Sequence, residues 1–287
     1  MINASLVLEG GGMKGVYTAG VLDFFLEKKL SFSSYYAVSA GACTLSSFLA
    51  GQKRRGFRVM TDYLDDKRYM SVYSLLVTGD LFNAATSYSL VPELLDPLDY
   101  QTFSEHEGKA YAVITNMITG KAEYYLLRDL RKDMIAVRAS SSLPLISRPV
   151  RINHIPYLDG GISDGIPITH SIEEGKKKNI VVLTKDKDYI RKPTEMMGLY
   201  KCRYLQYPNI AKQMKTRHIR YNQTLEELKE YEKNGQAFVI RPSIKMDIAR
   251  TEKDAGKLEK MYLLGFHDAQ NCYQDMLAYL NIGEEIQ

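Results

Sequence analysis

Twice within its first fifty residues the chain passes from a short apolar strand, through a turn of small residues, directly into a helix. Ser5-Leu-Val-Leu8 enters Glu9-Gly-Gly-Gly-Met-Lys-Gly15, after which Tyr17 to Lys28 carries apolar residues at helical spacing (Val21, Leu22, Phe25). Tyr35-Tyr-Ala-Val38 enters Ser39-Ala-Gly-Ala42, and a small-residue helix runs on to Ala50. A strand that feeds a helix and is followed by another such unit predicts a parallel sheet with helices on its faces, an α/β fold.

The rest of the chain extends this pattern. Residues 56–105 are irregular, with Pro92 and Pro97 interrupting a mostly helical texture. Tyr111–Thr115 and Glu123–Leu127, separated by Thr119-Gly120, predict a hairpin, and Asp133–Ser142 predicts a helix that stops at Leu143-Pro144. Tyr157-Leu158 and Ile180–Leu183 have strand character. Beyond residue 188 the texture becomes charged, Tyr-rich and helical. Ile210–Lys233 predicts one helix stopped by Asn234-Gly235, Ala237–Ile240 a strand, and Leu258 to Leu280 a single apolar stripe on a final helix that docks on the core. We expect residues 1–187 to hold the chemistry and residues 188–287 to form a helical extension packed on the same domain.

Bulk properties narrow the function. With 287 residues and 45% hydrophobic content, the chain can build a sizeable core, and a formal charge of +4 is too dilute for nucleic-acid binding. Three scattered cysteines without Cys-x-x-Cys spacing indicate neither a disulfide framework nor a zinc site, and no cofactor is expected. Met1-Ile-Asn-Ala-Ser5 lacks the pattern of a secretory signal, and no apolar run reaches the roughly 18 residues of a membrane span. The expectation is a cytoplasmic protein whose membrane contact, if any, is peripheral. Lys53-Arg-Arg55 and Lys176-Lys-Lys178 read as solvated surface.

Three loops carry candidate chemistry. Gly10, Gly12 and Gly15 fit a dinucleotide fingerprint, yet no acidic residue stands after the second strand to hold a ribose. A phosphate-binding Walker loop is excluded because Val16 follows Gly15. The other use of such a loop is to aim backbone N–H groups at a developing oxyanion, with the cation of Lys14 nearby. Ala37-Val-Ser39-Ala-Gly41 is a variant of Gly-x-Ser-x-Gly, in which small neighbours let a sharp turn lift the serine hydroxyl; it is also compatible with a plain helix cap. Asp159-Gly160-Gly161 is either a tight turn or a loop carboxylate able to take a proton from serine.

Together these blocks, with Ala139-Ser-Ser-Ser-Leu-Pro144 and Pro167 in the same order, resemble the patatin-like phospholipase family in its bacterial branch; the likeness runs from Leu6 to Leu183. The resemblance implies a three-layer sandwich with a mostly parallel central sheet, related to the α/β-hydrolases, and a lipid acyl hydrolase. It implies Ser39 as nucleophile, Asp159 as its base, and Gly10, Gly11 and Gly12 as the oxyanion hole, assisted by Lys14. Gly15, Ala37, Gly41, Gly160 and Gly161 support the motifs. Ala37, where the family has glycine, keeps open a slow or silent lipid-binding member, and Gly165 replaces a common asparagine. Asp164 is a rival base, while His170 and His267 would be needed for a triad and His106 reads as solvated. No site is transferable to the region beyond residue 188.

Overall fold

The computed structural model describes residues 1–282. β1 (Ile2–Leu8) leads through a short turn of 3-10 helix at Gly12–Lys14 into α1 (Gly15–Glu27), and β2 (Phe32–Val38) leads into α2 (Ala40–Leu49). The irregular stretch holds α3 (Arg55–Thr61), α4 (Val72–Thr78), a wide π-helical turn at Thr86–Leu95 and α5 (Tyr100–Glu105). Then come the hairpin β3 (Lys109–Asn116) and β4 (Ala122–Leu127), α6 (Leu130–Ser140), the short strands β5 (Val150–Ile152) and β6 (Ile155–Asp159), α7 (Ile168–Glu173) and β7 (Asn179–Val182). The remainder is α8 (Met197–Arg203), α9 (Pro208–Lys233), β8 (Ala237–Ile240), α10 (Ala255–Asn271) and α11 (Tyr273–Leu280).

One sheet collects all eight strands in the order β5-β6-β3-β2-β1-β7-β8, with β4 also paired to β3. The β2, β1, β7 and β8 pairings are parallel, as is β2 with β3. Alternation along β1 shows why these strands are apolar throughout: Leu6 and Leu8 enter the larger core, and Val7 enters the smaller one on the opposite face. The larger core receives α1, α2, α6, α10 and α11, while the smaller is closed by α7 and α9 through Ile168, Tyr221 and Leu228. The expected three-layer α/β sandwich is thus the observed one. Among the described residues no helix is long and apolar enough to cross a membrane.

Residues beyond 188 are woven into this framework. β8 pairs with β7 from Asn179↔Ala237 to Val182↔Ile240. α10 lies on α1 at very short range, because Gly20 and Gly265 each face the other helix's backbone. Tyr17 Oη donates to Asp268 at 3.0 Å, and Tyr262 Oη donates to Asp23 at 2.7 Å. The final apolar stripe is buried as expected at Leu258, Met261, Tyr262, Ala269, Tyr273, Met276 and Leu277. It does not belong to one helix, however. The chain breaks at Cys272 into α10 and α11.

Candidate active site

The strand ladder brings Ser39 and Asp159 together. β4 covers one edge of β3 from Ala110 to Thr115, so β2 and β6 must share the other edge. β2 occupies it up to Val38↔Val113, and β6 takes over at the next rung, Ile114↔Asp159. The residue after Val38 is Ser39. A parallel strand and an antiparallel one therefore end at neighbouring rungs, Ser39 following the last pair of β2 and Asp159 forming the last pair of β6.

Ser39 has φ 56° and ψ −124°, a left-handed backbone that a non-glycine residue adopts only when its surroundings hold it there. Its N–H donates to Ser140 Oγ at 2.8 Å, and its carbonyl accepts from Ala42 and starts α2. Small neighbours are required by contact: a Cβ on Gly10 would lie 2.9 Å from Ser39 Cβ, and one on Gly41 would lie 3.0 Å from the carbonyl oxygens of Leu8 and Glu9. Ala37 pairs with Leu8 and Ala112 in the middle of the sheet and has no positive φ, so glycine's freedom is not needed there. The Ala139–Pro144 block acquires a role as well. Ser140 holds the Ser39 turn, while the Ser142 carbonyl accepts from Asp159 N–H at 2.8 Å, so one segment positions both residues.

Asp159 is fully buried at the end of β6. Oδ1 accepts from Gly161 N–H at 2.7 Å, and the Thr115 hydroxyl donates to the Asp159 carbonyl at 2.8 Å. Among the described residues Oδ2 has no hydrogen-bond partner of normal geometry. Burial raises the pKa of this carboxyl; the Ser39 hydroxyl, then Arg217, Gly161 N–H and Arg250 pull it back without cancelling the rise. Gly160 is obligatory beside it, since a Cβ would fall 2.1 Å from the Val113 carbonyl oxygen.

The glycine loop is anchored by Glu9. Its buried carboxylate accepts from Thr184 N–H at 2.8 Å, Thr184 Oγ1 at 3.0 Å, Tyr221 Oη at 2.6 Å and the Lys185 ammonium. Burial opposes its charge, but the Lys185 cation and these donors hold its pKa below the ordinary value. Desolvation likewise pushes Lys185 down to about 8 despite Glu9. Among the described residues the N–H groups of Gly10, Gly11 and Gly12 donate to no protein acceptor, whereas Met13 N–H is taken by the Arg250 carbonyl at 3.0 Å. Lys185→Met is expected to lower stability by about 3–5 kcal/mol, because it strands a buried carboxylate; urea unfolding measures it, and Lys185→Met with Glu9→Gln should recover part of the loss.

Two cavities meet at Ser39. One, of about 110 Å³, is largely apolar and runs past Met13, Met60, Tyr69, Phe82, Tyr88 and Leu143. The other, of about 40 Å³, is polar and holds Asp159, the glycine loop, Lys185, Arg191, Arg217 and Arg250. Arg191, Arg217 and Arg250 come from the region beyond residue 188, to which no site was transferable, and Lys185 lies just past Leu183, where the likeness ends. They stand singly, without a motif, and only the fold gathers them.

Other sequence candidates lie elsewhere. Lys14 closes the turn before α1 and lines neither cavity. Asp164 accepts from Tyr124 Oη at 2.7 Å, and His170 stacks on that ring, so both are engaged away from Ser39. His267 is on α10. His106 is half-buried against Phe103 and Tyr35, not solvated. Arg55 is also no surface charge: it is buried, paired with Asp96 at 3.4 Å, and reaches the apolar cavity.

A strained serine turn, a buried aspartate one rung away and a glycine loop facing both agree with the family comparison. The chain belongs to the patatin-like phospholipase family, whose model matches residues 6–172. A second model, a domain of unknown function (DUF6363), matches residues 207–281, which include Arg217, Tyr221 and Arg250. The chain is 32% identical over 184 residues to the uncharacterized protein YjjU of Escherichia coli (strain K12); the match covers 63% of this chain and 51% of YjjU, so the chain spans about half the length of that relative. It is 27% identical over 214 residues to the probable lipid hydrolase 463L of Invertebrate iridescent virus 6, covering 69% of this chain and 71% of that protein. The structure of VipD from Legionella pneumophila superposes with a TM-score of 0.51 at 13% identity, over 95% of this chain and 67% of that one, a likeness of fold.

Proposed function

We propose that the protein is a serine-dependent lipid acyl hydrolase working through a Ser39–Asp159 dyad. The observation that carries this reading is the placement of Ser39, on a left-handed turn, at the meeting point of an apolar cavity and the pocket that holds the unpartnered Asp159 Oδ2. The relative named a probable lipid hydrolase supports it.

The acyl chain enters the apolar cavity, which presents its ester carbonyl to Ser39. Ser39 Oγ forms a bond to the carbonyl carbon as its proton passes to Asp159 Oδ2, and the carbonyl electron pair moves onto oxygen. The free N–H groups of Gly10, Gly11 and Gly12 receive that oxyanion; loss of one such donor typically costs about 2.7–4 kcal/mol. Collapse breaks the bond to the leaving alcohol, which takes the proton from Asp159. Water then attacks the acyl-serine carbonyl carbon as its proton passes to Asp159; collapse breaks the bond to Ser39 Oγ, which takes that proton back as the carboxylic acid leaves.

A fluorophosphonate should label Ser39 stoichiometrically in the wild-type protein and leave Ser39→Ala unlabelled, as read by intact mass. Folded wild type that neither labels nor hydrolyses acyl esters would remove the reading.

A further inference from the structure

The polar cavity carries more positive charge than the acyl-transfer chemistry uses. Of the cations that line it, Lys185 is neutralised by Glu9. Arg191, Arg217 and Arg250 form no ion pair among the described residues. Against these three guanidiniums the cavity offers only one other carboxylate, Asp159. Each arginine is held in place without being charge-compensated. Arg191 lies over the Tyr221 ring at 4.0 Å, and its buried Nε has no partner. Arg217 Nε donates to the Gly161 carbonyl. Arg250 packs its stem against Gly12, whose φ of +59° and lack of a Cβ give it room, while its backbone carbonyl holds Met13 N–H.

Like charges gathered without counter-ions repel one another, and the repulsion shows at Arg217. Burial, then the neighbouring Arg191 and Arg250, push its guanidinium down to about 9, still charged at neutral pH. Such an arrangement lowers the free energy of a complex with an anion more than that of the empty site. Guanidinium groups favour the planar faces of oxyanions and bind phosphate in paired hydrogen bonds. Three cations against one carboxylate leave an excess that matches a phosphate monoester, which carries about −1.5 to −2 near neutral pH. The volume of about 40 Å³ suits a group of that size and not a second alkyl chain.

We infer that Arg191, Arg217 and Arg250 form a phosphate-monoester site, and that the substrate is an acyl ester whose alcohol portion ends in that phosphate. This rests on the reading of Ser39 as the nucleophile: the acyl chain fills the apolar cavity, the ester lies at Ser39, and the phosphate seats among the arginines on the leaving-group side. Arg217 also acts on Asp159, so it is a positioning residue too, and the test uses the other two arginines.

Two measurements decide the matter. The first is turnover of monooleoyl glycerol phosphate, monooleoyl glycerophosphocholine and monoolein. The terminal phosphate should raise kcat/KM by about tenfold or more over both comparators, a preference that Arg250→Gln and Arg191→Gln each reduce. Equal turnover of the three, or a preference untouched by both variants, overturns the assignment. The second is calorimetric binding, which does not depend on hydrolysis. Octyl phosphate should bind wild type about tenfold more tightly than octyl glucoside or inorganic phosphate, and added salt should weaken it. Inorganic phosphate binding as tightly as octyl phosphate would indicate a free-phosphate site and overturn the lipid assignment. If wild type cleaves none of the esters yet shows the octyl phosphate preference, the anion site stands and the hydrolase reading fails.

Discussion

Asp159→Asn is expected to lower kcat/KM for acyl esters by about 10⁴-fold while raising the melting temperature, and Ser39→Ala to lose activity to a similar degree. The two effects of Asp159→Asn have one cause. The carboxylate is buried, and this burial holds its pKa in the folded state above the ordinary value. Below the ordinary carboxylate value Asp159 is protonated whether the chain is folded or not, and it imposes no electrostatic penalty. As pH climbs through the ordinary value and then the raised one, the folded state must accept a buried charge that the unfolded chain carries freely, and stability falls. Asparagine keeps the bond from Gly161 N–H and can donate its amide to Ser39 Oγ. It cannot take a proton. The gain in melting temperature should therefore be present near neutral pH and vanish in acid, and wild-type activity should have an acid limb above the ordinary aspartate range. Thermal melts and kcat/KM profiles over pH measure both; a melting temperature that drops at neutral pH would refute the proposed burden.

A large loss of stability is expected from Gly265→Ala and Gly20→Ala, at about 3 kcal/mol each. A Cβ at Gly20 would lie 2.0 Å from the Tyr262 carbonyl oxygen, and one at Gly265 would lie 2.1 Å from that of Tyr17. Neither neighbour is a flexible side-chain end that could turn aside. The helices must separate, which strains the bonds from Tyr17 to Asp268 and from Tyr262 to Asp23 and opens the core between them. Activity should suffer as well, because α1 begins directly after the glycine loop and Arg250 lies a few residues before α10. Gly198→Ala is the control: nothing lies within 4 Å of its Cβ position and its backbone is ordinary helix, so it should be neutral or slightly stabilising. Urea midpoints of the three variants provide the comparison.

Much of the sheet and the proposed Ser39–Asp159 pair was legible in sequence because each signal is local. Leu6–Leu8 and Tyr35–Val38 announce buried strands, and Ser39 and Asp159 each sit in a short run whose residue types state the turn they make. The anion cradle was not legible. Arg191, Arg217 and Arg250 lie 26 and 33 residues apart, in ordinary charged surroundings, and only the packing of α9 and of the α10 approach brings them to one cavity. Glu9 was read as part of a glycine turn, since the cation and phenol that explain its burial come from residues 185 and 221. Arg55 misled in the opposite direction: flanked by Lys53 and Arg54 it looked solvated, although its partner Asp96 stands forty-one positions away. The break at Cys272 leaves no trace in the apolar stripe because both segments face the same core.

Because β2 and β6 meet end to end on β3, with Val38 and Asp159 one rung apart, or about 3.3 Å of strand rise, Ser39 and Asp159 are held together by the sheet and by the Ser140–Ser142 segment. The long excursion from α2 to β5, apart from β3, the end of α6 and the serine-rich turn after it, can then be rebuilt without disturbing Ser39 and Asp159. That excursion supplies the walls of the apolar cavity at Tyr69, Phe82, Tyr88 and Leu98. In the proposed hydrolase, acyl-chain length becomes an adjustable property of this scaffold: larger side chains at Phe82 or Leu98 would shorten the accepted chain, smaller ones would lengthen it, and Ser39 and Asp159 would stay where the sheet holds them.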